Sequence, residues 1–229
     1  MLDFIGTIVA AALMVFIINA LLVFMNIPRG AKLVVAALLG LWVGVAAAAG
    51  AAGWPAISRP FPVMGIFVGA PLLAAAVAAS WPTARQAMLS LPLSLMVGLN
   101  IGRVFAFMFL MLAAEGRLSG PFPYSAAWGD IITGAAALPL LWLARTPDRH
   151  TAVLHLWNAF GMLDLVLAIG FGVTSAANSP LQIFGAPGSQ AMQHLPWSFV
   201  PTVLVPLWMI LHAIIWVRLR RYRHSAVPA

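Results

Sequence analysis

The sequence predicts an all-α membrane protein: a bundle of seven transmembrane helices, N-terminus outside and C-terminus in the cytoplasm. Three observations carry that expectation. Of 229 residues, 63% are hydrophobic and 7% charged, with a mean hydropathy of +1.01, whereas a soluble domain carries about 25% charged residues. The chain divides into seven mainly apolar stretches, each near the roughly 20 residues that cross a bilayer core. Nine of the twelve Lys and Arg residues fall in alternate breaks or in the C-terminal tail.

The first span is expected over Phe4–Met25. Its apolar run exceeds the core of a signal peptide, and Asp3 stands where such a peptide is basic, so it reads as a retained helix. Asn26-Ile-Pro-Arg-Gly30 makes the turn to Leu33–Ala52, and Gly53-Trp-Pro55 with Arg59-Pro-Phe-Pro62 the break before Val63–Trp81. The fourth stretch, Ala87–Ala114, is too long to stand upright and is expected to tilt or bend at Pro92. Trp128–Ala144 follows, then Arg145-Thr-Pro-Asp148, then Val153–Ser175. The longest connection, Ala176 to Trp197, has room for a surface or re-entrant segment before the last span, Ser198–Val217. Residues 1–217 thus make one transmembrane domain and 218–229 a basic cytoplasmic tail.

Orientation follows from the bases. Arg29, Lys32, Arg85, Arg145, Arg149, Arg218, Arg220, Arg221 and Arg223 share one side, and only Arg59 and Arg117 the other. Cytoplasmic loops carry the excess of Lys and Arg, so the first side is cytoplasmic. The net charge of +7 is therefore a topology signal, not a nucleic-acid surface. Trp54, Trp81, Trp128, Trp142, Trp197 and Trp216 fall near span ends, as an aromatic belt requires. Retinal is excluded, because the only lysine, Lys32, lies in the first loop.

Gly40/Gly44, Gly65/Gly69 and Gly98/Gly102 form three G-x-x-x-G pairs, which let helix backbones approach closely. Packing within the chain is their expected use, with a homo-oligomer face as the alternative. The absence of cysteine excludes thiolate catalysis, Fe–S clusters and Cys zinc sites, and no hydrolase or nucleotide-binding motif is present.

The informative residues are polar ones inside the spans, because a charge at mid-membrane costs about 2.5–3.5 kcal/mol and is paired or functional. Counted at ~1.5 Å per residue from the basic end of each span, Arg103 lies ~27 Å up, and Asn100, Asp130 and Asp164 ~22 Å up. They form an upper polar layer, the expected substrate, ion or proton site. One arginine cannot neutralise two aspartates, so one carboxyl is expected to hold a proton. By the same count Asn19 and Asn158 lie ~14–15 Å up and His155 and His212 ~9 Å up, a second layer expected to be separate. His155 and His212 suggest the alternative of a haem b site; no other metal or cofactor is expected. Pro201 and Pro206 bend the last span and free carbonyls. The Gly120-Pro-Phe-Pro123 segment, followed by Trp128-Gly-Asp130, is expected to dip a loop into the outer face. An intramembrane aspartyl protease fits poorly, because Ala127-Trp-Gly-Asp130 departs from its G-x-G-D pattern.

Trp128-Gly-Asp-Ile131, Trp157-Asn-Ala-Phe-Gly-Met-Leu-Asp-Leu165 and Leu195-Pro-Trp-Ser-Phe-Val-Pro201 through His212 resemble an uncharacterised group of bacterial multi-pass membrane proteins. The resemblance covers the second half of the chain and implies a bacterial inner membrane, with no implication for substrate. The reading is a non-enzymatic transporter or conductor of a small solute or ion, with proton coupling. The alternatives are a haem-binding redox subunit and a non-catalytic partner or assembly protein.

Overall fold

A computed structural model describes residues 1–57 and 62–225, with side chains through Tyr222. Arg59 of the predicted turn, the Arg223 side chain and residues 226–229 of the tail lie outside that description. Every regular element among the described residues is helical.

The first helix, α1 (Leu2–Phe24), buries Leu2, Gly6, Ala10, Met14, Ile17 and Leu21. This three-to-four spacing is the single inward stripe of a helix whose other faces stay apolar and exposed. The next, α2 (Arg29–Ala51), buries only Ala46, Ala49 and Gly50. Two helices then follow at an elbow, α3 (Val63–Ala78) and α4 (Pro82–Ser90), bent by 109°. The next apolar stretch is composite: α5 (Leu93–Leu99), a 3₁₀ stretch over Asn100–Ala106, and α6 (Phe107–Ala114). Two long helices, α7 (Phe122–Leu143) and α8 (Pro147–Ser175), pack closely on one another. A π-helical turn, Val200–Leu204, leads into α9 (Val205–Ser225). Six of these stretches are long and apolar enough to cross a membrane, and the α3–α4 pair makes a seventh if it counts as one crossing.

Several expectations are corrected. The fourth stretch does break at Pro92, but as an elbow rather than a bend: Leu91 and Pro92 are both extended, and the crossing starts at Leu93 instead of Ala87. Pro92 has no N–H to continue the ladder, and Arg218 Nη1 donates to the carbonyls of Leu89 (2.9 Å) and Leu91 (2.5 Å), clamping the corner. That arginine lies within α9, which runs eight residues beyond the predicted end at Val217. The Gly120–Pro123 segment does not dip, because Pro123 lies in the first turn of α7, where a missing N–H costs nothing. Trp197 is not a belt residue. It is buried, and its indole donates to Asp3 at 2.7 Å. Of the three glycine pairs, a Cβ added at Gly40 or Gly44 would meet nothing within 4 Å, and only Gly102, against Leu13, and Gly98, against Leu141, face other helices closely.

The connection from Ala176 to Phe199 folds over one end of the bundle, burying Met192, Gln193, Trp197 and Ser198. Pro206 removes the N–H that an α-ladder would direct at the Thr202 carbonyl, and Trp42 Nε1 of α2 donates to that carbonyl at 3.0 Å.

Candidate functional site

Arg103 is fixed by the local chemistry of its own crossing. The Asn100 side-chain amide donates back to the Met96 carbonyl at 2.9 Å, competing with the backbone ladder. From Asn100 the helix tightens to 3₁₀, in which residues three apart eclipse. Asn100, Arg103 and Ala106 consequently share one face, and all three are buried. A 3₁₀ run of this length within a crossing is uncommon.

The guanidinium of Arg103, 1% exposed, is held from three other elements. Nε donates to Asp130 Oδ1 of α7 and Nη2 to Asp164 Oδ2 of α8, each at 2.5 Å. Nη1 lies 3.2 Å from the Gly161 carbonyl and 2.9 Å from His212 Nε2 of α9. Trp208 covers the cation, its ring centroid 5.9 Å from the guanidinium carbon. An arginine cannot accept, so His212 Nε2 must carry a lone pair and the proton must sit on Nδ1. That nitrogen donates to Asn158 Oδ1 at 2.8 Å, and Asn158 Nδ2 returns a bond to the His212 carbonyl at 3.1 Å. The histidine is thus neutral, and two carboxylates face one cation.

Three glycines make this convergence possible. A Cβ on Gly129 would overlap the Asp164 carboxyl, and one on Gly161 would come within 2.6 Å of the His212 ring. One on Gly134 would lie 2.8 Å from the backbone nitrogen of Val104. The sequence reading missed these residues, although Gly129 adjoins Asp130 and Gly161 precedes Asp164 by three positions.

The upper layer therefore assembles as expected, with Asn100 beside it, but the separation into two layers is wrong. His212 and Asn158 belong to the Arg103 network. Depth counted from Arg218 places His212 too low, because α9 continues to Ser225, which puts His212 ~20 Å along the helix from that end at ~1.5 Å per residue. His155 stays apart, its ring edge-on to Trp216 at 5.0 Å. Asn19 is exposed and bonds the Val15 carbonyl of its own helix, so it joins neither group. Asn100 Oδ1 and Thr133 Oγ1 are buried beside the network without a hydrogen-bond partner.

Asp130 stands between two cavities. One, of about 360 Å³, lies among α3, α7, α8 and the π turn, roofed by the Ala176–Phe199 connection. The other, of about 40 Å³, lies between α1 and the 3₁₀ stretch and is lined by Arg103, Asp130, Gly102 and Trp208. Val200 and Pro201 line the first, and Val200 and Leu204 the second, so the π turn also borders both.

No curated protein and no solved structure matches the chain. Residues 60–220, which include every member of the Arg103 network, match the family described as Domain of unknown function (DUF8737), and the chain belongs to that family.

Proposed function

We propose that the protein transports or conducts a small cation or cationic solute, coupled to protons, through the Arg103–Asp130–Asp164 site. The carrying observation is that Asp130 faces two cavities while sharing one arginine with a second aspartate. With His212 neutral, the cluster holds one negative charge more than Arg103 supplies, and a proton or cation makes up the difference. Binding at Asp130 weakens its hold on Arg103, and the guanidinium then rests on Asp164 alone. The partition between the cavities is thereby tied to occupancy of the carboxylate. The π turn at Val200–Leu204 supplies a wall able to shift, since such irregular turns cluster at functional sites.

The proposed topology is seven crossings, N-terminus outside, in a bacterial inner membrane. Asp3 bonds both Arg117 at 2.8 Å and Trp197 at 2.7 Å, so the N-terminus and these two loops share one end of the bundle. An even number of crossings must separate Asp3 from Arg117, which supports counting the α3–α4 pair as one. The excess of bases at the opposite end supports its being cytoplasmic.

The test is proton flux into liposomes under an imposed potential, read with an entrapped pH dye. Asp130→Asn and Asp164→Asn should each slow the flux at least tenfold in folded protein. Unchanged flux in both would make the network purely structural. Haem ligation is disfavoured by His212, both of whose ring nitrogens are engaged. An aspartyl-protease dyad is disfavoured because the two carboxylates bond different nitrogens of Arg103 rather than one shared proton.

A further inference from the structure

The glycine pair of α3 serves space rather than helix packing. Gly65 and Gly69 line the 360 Å³ cavity, and a Cβ on Gly69 would meet nothing within 4 Å. Across the cavity, Gly172 of α8 also lines the wall, its would-be Cβ only in ordinary contact with Phe122. The cavity is therefore bounded on two sides by missing side chains. Its volume falls within the range of about 300–1,000 Å³ typical of ligand sites. Its walls are mainly aliphatic and aromatic, with Ser179, Ser189 and Gln193 as neutral polar exceptions, and Asp130 is the only charged side chain among the described residues that line it.

We infer that this cavity binds a lipophilic amine, its apolar body against α3 and α8 and its ammonium on Asp130. The inference rests on the reading of Asp130 as the binding carboxylate and names the class of its ligand. The argument is charge complementarity. A carboxylate on an apolar wall is costly to desolvate unless a cation pairs with it, and Arg103 is already shared with Asp164. An anion would be repelled. A bare metal ion would find a single carboxylate with a few neutral oxygens on otherwise apolar walls, short of the roughly six to eight oxygens of a hard-cation cage. A neutral lipid tail would gain nothing from the carboxylate.

Three probes of one shape separate these cases: 1-adamantylamine, 1-adamantanol and adamantane-1-carboxylate. Binding is measured by equilibrium dialysis against the full chain in nanodiscs, with empty nanodiscs subtracted. The amine should bind saturably at one site, the alcohol at least tenfold more weakly, and the carboxylate not at all. Gly69→Leu should fill the cavity and reduce amine binding at least tenfold while keeping the thermal midpoint, and Gly65→Val serves as a second filler. Asp130→Asn should bring the amine down to the level of the alcohol. Equal binding of amine and alcohol, or undiminished binding in both glycine variants, would overturn the inference. If proton flux depends on the aspartates but no amine binds, the ligand class fails and transport stands. If amine binds but flux ignores the aspartates, transport fails and the binding site stands.

Discussion

Arg103 donates to two carboxylates, a histidine and a carbonyl, and its removal leaves two buried acids without a cation. Truncating one partner of such a group costs about 3–5 kcal/mol, whereas replacing the whole group by neutral residues is often close to neutral. Arg103→Met should therefore lower the thermal midpoint sharply, and adding Asp130→Asn and Asp164→Asn should recover most of the loss. If the triple variant is no more stable than the single, the pairing does not carry the energetics. Gly161→Ala sets a methyl against the His212 ring and should cost about 1–3 kcal/mol by overpacking. Asn19→Ala, which disturbs one bond within its own helix, should stay within about 0.5 kcal/mol of wild type in the same scan. The charged members of the site were legible, because Arg and Asp are so rare inside apolar spans. The glycines were not, since what marks them is the side chain of another helix.

At the level of elements, the irregular turns organise the bundle. The 3₁₀ stretch aims Arg103, and the π turn borders both cavities and is braced from outside by Trp42 on the Thr202 carbonyl. Trp42→Phe should cost about 0.5–1.5 kcal/mol. That cost should shrink in a Pro206→Ala background, where the backbone regains an N–H for the same carbonyl, and a double-mutant cycle in chemical unfolding reads the coupling. An unchanged cost would mean that the indole contributes only packing. Apolar runs of about 20 residues made the crossings readable. The break at Pro92 was readable from the proline, but its sharpness, clamped by Arg218 on the Leu89 and Leu91 carbonyls, and the continuation of α9 through that arginine were not. Read linearly, that arginine is simply the first base after an apolar run, so a depth counted from it sets His212 too low.

For the whole molecule, the absence of native cysteine allows the topology to be probed with single introduced thiols. Glu115→Cys in the Arg117 loop should react with an impermeant maleimide added to intact cells, and Asp148→Cys only after permeabilisation. The reverse pattern would invert the proposed orientation. The all-helical, apolar architecture was legible because composition acts over the entire chain, while the meeting of four distant helices at one arginine is a tertiary fact. The order of those helices has a consequence for biogenesis. Asp130, Asp164 and His212, the side chains that hold Arg103, all follow it in the chain. In a chain inserted in sequence order the segment bearing Arg103 would reach the bilayer before the helices that carry these partners, with an insertion penalty of about 2.5–3.5 kcal/mol offset only by its apolar neighbours. A nascent chain halted after Ala114 should accordingly insert this crossing poorly, and one extended through α9 should retain it.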